Sequence, residues 1–559
     1  MTARAVMAPL RVGQAQQLQW QQQADLVVVG FGGAGASAAI EAASRGLSVL
    51  ALERFAGGGA TALSGGVVYA GGGTPQQQQA GYPDSREAMF AYLRQEVGDA
   101  VSEPTLRSFC DASADQLSWL ERQGVVFEGS MAPHKTSYPS DRYYLYYSGN
   151  EAVPAYAATA EPAPRGHRAK GHGLSGASLF AALADSARRQ AVTVRTQCQV
   201  RRLVIDRDDQ VVGVEAWQLP QGSRAARQHA RLSRWAAAVH MYAPALSARL
   251  RARLQRIEQA SARPILIRAL HGVLLSSGGF VFNRTLLQQF APRYLAGLPL
   301  GSSGCDGSGI ELGRSAGGSL GQMHKVSAWR FINPPLAWAR GLIVNARGER
   351  YCNEEVYGAT LGHDMVEMHD GRALLILDRH LRNQALRQVG PGKVWSFQRL
   401  PVLLNLLFNC RRGNSLEQLA QRCKLPAPAL RNSVDTYGRA ARGEIDDPLG
   451  KSPAMRHDLS QGPWYCLDLS YDSRLYPCPT LTLGGLRVCE QSGQVLDERG
   501  RPITGLYAAG RCAVGVASNL YVSGLSLADC VFSGRRAAAH VAERHASHPN
   551  PQGEHPCNV

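Results

Sequence analysis

This sequence predicts an α/β fold: a Rossmann-like nucleotide-binding domain interrupted by an inserted α+β capping domain. Three observations predict it. An apolar strand runs into a glycine-rich turn and an Ala-rich helix within residues 26–54. Strand-and-glycine segments return at 272–280 and again at 504–512, and the composition changes between them, becoming richer in aromatic and apolar residues from about 318 to 465.

The first of these stretches reads LVVVGFGGAGASAAIEAASRGLSVLALER. Gly30, Gly32, Gly33 and Gly35 let the backbone turn tightly and approach a pyrophosphate, whose charge sits at the helix N-terminus. Glu53, at the end of the second strand, is placed to bond ribose hydroxyls. Strand, helix and acidic end together predict a dinucleotide site. The following GGGATALSGGVVYAGGG offers Thr61, Ser64, Gly65 and Gly66, where bare backbone and hydroxyls can lie against a cofactor. An ordinary Gly-rich turn is the alternative.

Residues 84–124 read as helices, and 138–149 (YPSDRYYLYYSG) as a tyrosine-rich polar loop. Tyr146 and Tyr147 within it can wall a flat apolar ligand while offering hydroxyls; surface-strand packing serves equally well. The strand at 272–280 ends in Gly278, on the adenosine side, and Asp306 follows in a DGSG turn. TGLYAAGRC predicts another buried strand ending at Gly510, and Ser523 or Gly524 can begin a long final helix.

At 559 residues the chain exceeds one core. The predicted layout is a flexible leader at 1–23, a nucleotide domain at 24–317, an inserted catalytic lobe at 318–465, the nucleotide domain resumed at 466–545 and a tail at 546–559. Residues 222–268 form a basic helical insertion with ten Arg and one acid, Glu258, and Leu246, Leu250, Leu254 and Ile257 at helical spacing. Such a hairpin can rest on an anionic membrane; a solvated excursion or a subunit contact is the alternative.

The net charge of +16 does not predict nucleic-acid binding, because only six of the 60 basic residues are Lys and no nucleic-acid module is present. Twelve Cys without a CxxC pair predict reduced thiols and a cytoplasmic protein. The N-terminus lacks the apolar region of a secretory signal, and no run approaches a spanning helix.

Taken together, GFGGAG, Glu53, SGG, DGSG and GLYAAGR resemble the FAD-binding flavoproteins of the fumarate reductase and succinate dehydrogenase class. LYYSGNE, PRGHR, RGLIVNARGERY with EEVYG, TLGGLRV, AAGRC, and YVSGLSLAD with SGRRA resemble its 3-ketosteroid dehydrogenases, most of all the Δ4-(5α) branch. The resemblance implies FAD, bound non-covalently because no His stands in the 57–73 segment. It adds Arg54, Val200, Arg511, Ser526 and Leu527 to the cofactor residues, and Gly485 to the substrate residues.

It also implies the chemistry. A dehydrogenation beside a ketone needs a polarised carbonyl, a base and a hydride acceptor. Tyr521 is expected to bond the carbonyl oxygen and Ser523 to accept or relay the proton with help from Tyr357. Tyr521 and Ser523 are two apart, so in extended backbone they face one volume. Taken alone, Tyr521 reads as a tyrosine packed at a helix entrance and Ser523 as a plain helix cap; the flanking family segments reverse that reading.

SNLYVSGLSL carries no Arg or His where a fumarate reductase sets cations, so a cavity of hydroxyls without cations suits a neutral flat ketone. Δ1-desaturation, enone reduction and a non-catalytic FAD-binding electron-transfer protein remain as alternatives. No metal or haem motif is present, so no metal is expected and electrons leave to an external acceptor.

Overall fold

The computed structural model describes residues 6–15 and 18–547. The predicted first strand forms as Gln22–Val29, parallel to Val49–Leu52 on one side and to Arg263–Leu275 on the other, and Thr193–Arg195 continues the parallel series. Leu26, Val27 and Val28 are fully buried, as a strand covered on both faces requires. The crossover between the first two strands is Gly33–Ser44, whose small residues allow close packing. Its neighbour is the final helix, Leu525–Ser547, where a Cβ on Gly534 would stand 2.5 Å from the carbonyl oxygen of Ala34.

Arg263–Leu275 is the hinge of the nine-stranded sheet found among the described residues. Along one edge its first half runs antiparallel to Val211–Gln218, and its last residues run parallel to Pro502–Ala508. This corrects the predicted insertion at 222–268. Helices occupy only Arg224–Val239 and Pro244–Ser261, while 263–268 is drawn into the sheet by its register with Val211–Gln218.

The leader also needs correction. Leu10–Arg11 pairs with Val204–Ile205 at the sheet's edge, Met7 N donates to Arg201 O at 2.7 Å, and Gln22 already belongs to the first strand. Of the tail predicted at 546–559, residues from 548 on lie outside the described residues.

Within the interval 318–465 stands a four-stranded antiparallel sheet, ordered Leu342–Val344, Leu374–Asp378, Trp464–Asp468 and Cys410–Gly413. Helices such as Gly358–Met368 and Ala427–Ala441 accompany it, an α+β arrangement. Its strand Trp464–Asp468 crosses the boundary expected at 465. A small sheet of Leu298–Pro299, Pro479–Thr482 and Val326–Ala328 joins the two bodies.

The two helices of the basic hairpin pack through Leu232, Ala236 and Leu254, with Phe55 against them. Among the described residues no helix is long and apolar enough to cross a membrane.

Candidate functional site

The carboxyl ends of the parallel strands open into a cleft of about 840 Å³, where an α/β fold places its ligand. Its lining includes Gly30, Gly32, Gly33, Glu53, Arg54, Thr61, Val200, Gly278, Gly510 and Arg511. Gly30 turns at φ +99°, and a Cβ there would stand 2.8 Å from the Cα of Ser277, so only glycine permits this approach. Thr61 Oγ1 accepts from the amide of Gly33 at 3.0 Å, pinning the turn to the segment after it. Glu53 accepts from the amides of Phe31 and Phe55, each at 2.9 Å, which fixes the carboxylate at the strand end.

Side chains from distant segments also pack against one another in an aromatic cage. Trp329, Tyr357, Tyr521, Tyr138 and Phe331 form one aromatic cluster, with Tyr357 and Tyr521 stacked at 6.4 Å between ring centres. Trp329 stands 5.4 Å from Tyr521, 5.8 Å from Tyr357 and 5.4 Å from Tyr138.

Ser523 lies beside the hydroxyls of both Tyr146 and Tyr357 and lowers the pKa of each, although burial raises both far more. Neither tyrosine hydroxyl has a hydrogen-bond partner among the described residues. Burial likewise raises Tyr521, partly opposed by the charge of Arg511. These phenols therefore stay protonated at neutral pH and can donate.

Gly524 makes this geometry. Its φ of +91° turns the chain into the final helix, and a Cβ there would sit 2.7 Å from the amide of Tyr69. Arg330, between Trp329 and Phe331, points away and donates to the carbonyls of Tyr476 and Ser470. Arg165 and Arg168 are bound to Asp84 and Asp141, each at 2.6 Å.

Behind Tyr357 a second cavity of about 740 Å³ is lined by Tyr147, Phe331, Ile332, Glu355 and Lys135. The expected cavity without cations is thus corrected at this end. Burial pulls Lys135 down to about 8 against the charges of Glu151 and Glu355, and its Nζ donates to the carbonyl of Glu355 at 2.6 Å.

The profile of the FAD binding domain family matches residues 25–527. The chain belongs to this FAD-binding family. It is 44% identical to a 3-oxo-5-alpha-steroid 4-dehydrogenase of Comamonas testosteroni over 90% of this chain and 95% of that one. It also superposes, with TM-score 0.80 and 30% identity, on the 3-ketosteroid-delta4-(5alpha)-dehydrogenase of Rhodococcus jostii RHA1 in complex with 4-androstene-3,17-dione. That match covers 96% of this chain and 100% of the other. The 3-ketosteroid delta1-dehydrogenase of Sterolibacterium denitrificans shares the fold at TM-score 0.63 and 19% identity, over 94% of this chain and 100% of that one.

FAD fits what the residues offer. The glycine cradle and Glu53 suit the adenosine and pyrophosphate. Ser526 Oγ, at the start of the final helix, is buried without a partner among the described residues, although Ser526 does not line the cleft.

Other predicted cofactor residues lie outside the cleft lining. Gly35 is a packing glycine, since a Cβ there would fall 2.0 Å from the carbonyl oxygen of Gly30. Asp306 is held by Arg54 at 2.8 Å, and Arg54 is held in turn by Glu258 at 2.8 Å. Ser64 Oγ donates to the Thr61 carbonyl and accepts from the Gly66 amide, and Gly66 turns at φ +67°.

Gly65 faces the ring of Tyr138, where a Cβ would lie 2.1 Å from Cε1, so 64–66 adjoin the aromatic cage. Ser526 and Leu527 stand half-buried in the last helix. Gly485 packs against the carbonyl of Cys512, 2.6 Å from where its Cβ would be, and lines neither cavity.

Sequence reasoning missed Trp329, Phe331 and Lys135. The one available signal was the Trp-Arg-Phe triplet at 329–331, whose alternation in extended chain turns both rings one way.

Proposed function

We propose that the chain is a 3-ketosteroid Δ4-(5α)-dehydrogenase, converting a 5α-3-ketosteroid to the 4-ene-3-ketosteroid. The observation that carries this reading is the aromatic cage with protonated, unpartnered phenols around Ser523, which suits a flat neutral ketone. The 44% identity with a 3-oxo-5-alpha-steroid 4-dehydrogenase supports it.

Tyr521 donates to the ketone oxygen and stabilises the enolate as it develops. Ser523 takes the proton from carbon 4 and passes it on through the hydroxyls of Tyr357 and Tyr146. A serine is a weak base, so this transfer depends on the acidity that the carbonyl contact confers on carbon 4. FAD, when bound, supplies the acceptor for the hydride from carbon 5. The aromatic walls exclude water and fix ring A flat against the cofactor side. Electrons then pass to an external acceptor in the cytoplasm.

The basic hairpin extends the reading. Its tip exposes Trp235, Met241, Tyr242 and Leu246 beside its arginines, a composition that settles on an anionic bilayer and brings the site to an apolar substrate.

Anaerobic mixing with a 5α-androstane 3-ketone tests the main claim. Bleaching of the flavin with formation of the 4-ene product is expected; a product unsaturated at carbon 1, or no bleaching, overturns it.

A further inference from the structure

Partway along the central strands, away from the cofactor cleft, three side chains converge that the chemistry above does not use. Asp25 comes from Gln22–Val29, His271 from Arg263–Leu275 and His545 from the final helix. His271 Nε2 lies 3.4 Å from Asp25 Oδ1 and 2.8 Å from His545 Nδ1, and the three atoms all fall within 4.8 Å of one another. The imidazoles meet edge to face at 4.5 Å between ring centres.

Two further features aim these groups. The other carboxylate oxygen, Asp25 Oδ2, accepts from the amide of Ser48 at 2.8 Å and from its hydroxyl at 2.6 Å, which leaves Oδ1 turned toward His271. The ladder between the two strands breaks register between Ala269 and Gly272, opposite Asp25. A bulge re-aims the side chain it carries, and here that side chain is His271.

We propose that Asp25, His271 and His545 bind a divalent transition metal, zinc by preference. Two imidazoles and one carboxylate suit zinc, and an anchored carboxylate is the usual support for such a ligand set. Bonds of about 2.1 Å set tetrahedral ligand atoms about 3.4 Å apart, the separation already present between Asp25 and His271. His545 needs to withdraw from His271 by roughly 0.6 Å and to stand at a like separation from Asp25, with which it already lies within 4.8 Å.

All three residues are only partly buried, so the fourth position is open to water. The metal would fasten the final helix to strands whose far ends form the cleft, about 13 Å away along Gln22–Val29. Its role is therefore that of a structural staple, independent of turnover. The sequence concealed it, because the ligands are scattered across the whole chain.

The FAD-loaded full-length protein, stripped with chelator, is titrated with Zn²⁺ by calorimetry and with Co²⁺ by visible absorption. One equivalent of each is expected, with the intense bands of tetrahedral Co²⁺. A rise of the thermal midpoint by a few degrees should follow when Zn²⁺ saturates the site. H271Q and H545Q should each weaken binding by about a hundredfold. D25N, which retains the Ser48 contacts, should weaken it as well and serves where a histidine variant fails to fold. Stoichiometric binding that survives these substitutions, or no binding at about 1 mM Zn²⁺, overturns the site.

Discussion

The cofactor cleft and the aromatic cage, which residues 64–66 adjoin, are built on opposite plans. The cleft is largely backbone work: glycines at 30, 32, 33 and 59 with the Glu53 carboxylate and the Thr61 hydroxyl, joined from later segments by Gly278, Gly304 and Gly510. The cage is side-chain work, drawn from Tyr138, Tyr146, Trp329, Tyr357 and Tyr521, which meet only after the inserted lobe has folded over the nucleotide domain. Backbone sites tolerate no added atoms; side-chain sites tolerate loss of an atom but lose chemistry with it.

That contrast can be broken most severely at Gly35. A Gly35→Val chain forces the helix off the first strand, because even its Cβ would meet the Gly30 carbonyl. We expect a loss of about 3 kcal/mol of stability and protein that emerges colourless from gel filtration. A yellow, stable variant would mean that the cradle is looser than described.

At the cage, Tyr521→Phe should retain the flavin spectrum and lower turnover by roughly 100- to 1,000-fold, measured with a 5α-3-ketosteroid and an artificial acceptor. Ser523→Ala should lower turnover by about 100-fold while binding of the 4-ene product changes little. Near-normal rates in either would remove that hydroxyl from the chemistry.

On the cleft side stands Glu258, paired with Arg54 and His229. Burial would raise its pKa, but the hydrogen bond from His229 and the charge of Arg54 outweigh this and bring it to about 2. Because the folded value lies below the unfolded one, its stabilisation is present above pH 4.5 and fades as pH falls toward 2. The contribution is on the order of 3 kcal/mol, and Glu258→Gln should flatten the acid limb of a stability-against-pH profile.

The smallest effect is expected at the hairpin tip. Trp235→Ala with Tyr242→Ala should shift solution stability by less than about 0.5 kcal/mol, while lowering sedimentation with anionic liposomes at low salt several-fold.

How much was legible follows from the same contrast. The strand, glycine turn and Glu53 could be read because a nucleotide site is set by neighbours in sequence. Gly35 was legible as a glycine, yet its work is helix packing, which only the distance to the Gly30 carbonyl reveals. Asp306 was legible as a turn acid, but its partner Arg54 lies far back along the chain and claims the carboxylate. Tyr521 and Ser523 were singled out through their spacing and a resemblance, and the structure sets Tyr521 in the aromatic cluster and Ser523 beside Tyr146 and Tyr357. Trp329 and Lys135 were not, since nothing local says that an aromatic or a lysine faces a cavity. The extent of Arg263–Leu275 was misjudged because its first half looks like the end of an amphipathic helix until Val211–Gln218 pairs with it.

The late arrival of Pro502–Ala508 beside Arg263–Leu275 has a consequence for biosynthesis. Gly510 and Arg511, which complete the cleft, follow directly on that strand. On the ribosome, the nascent chain must wait through translation of the whole inserted lobe before its central sheet can close. Until then the edge of Val273–Leu275 stays unpaired, the kind of strand edge that other chains can pair with.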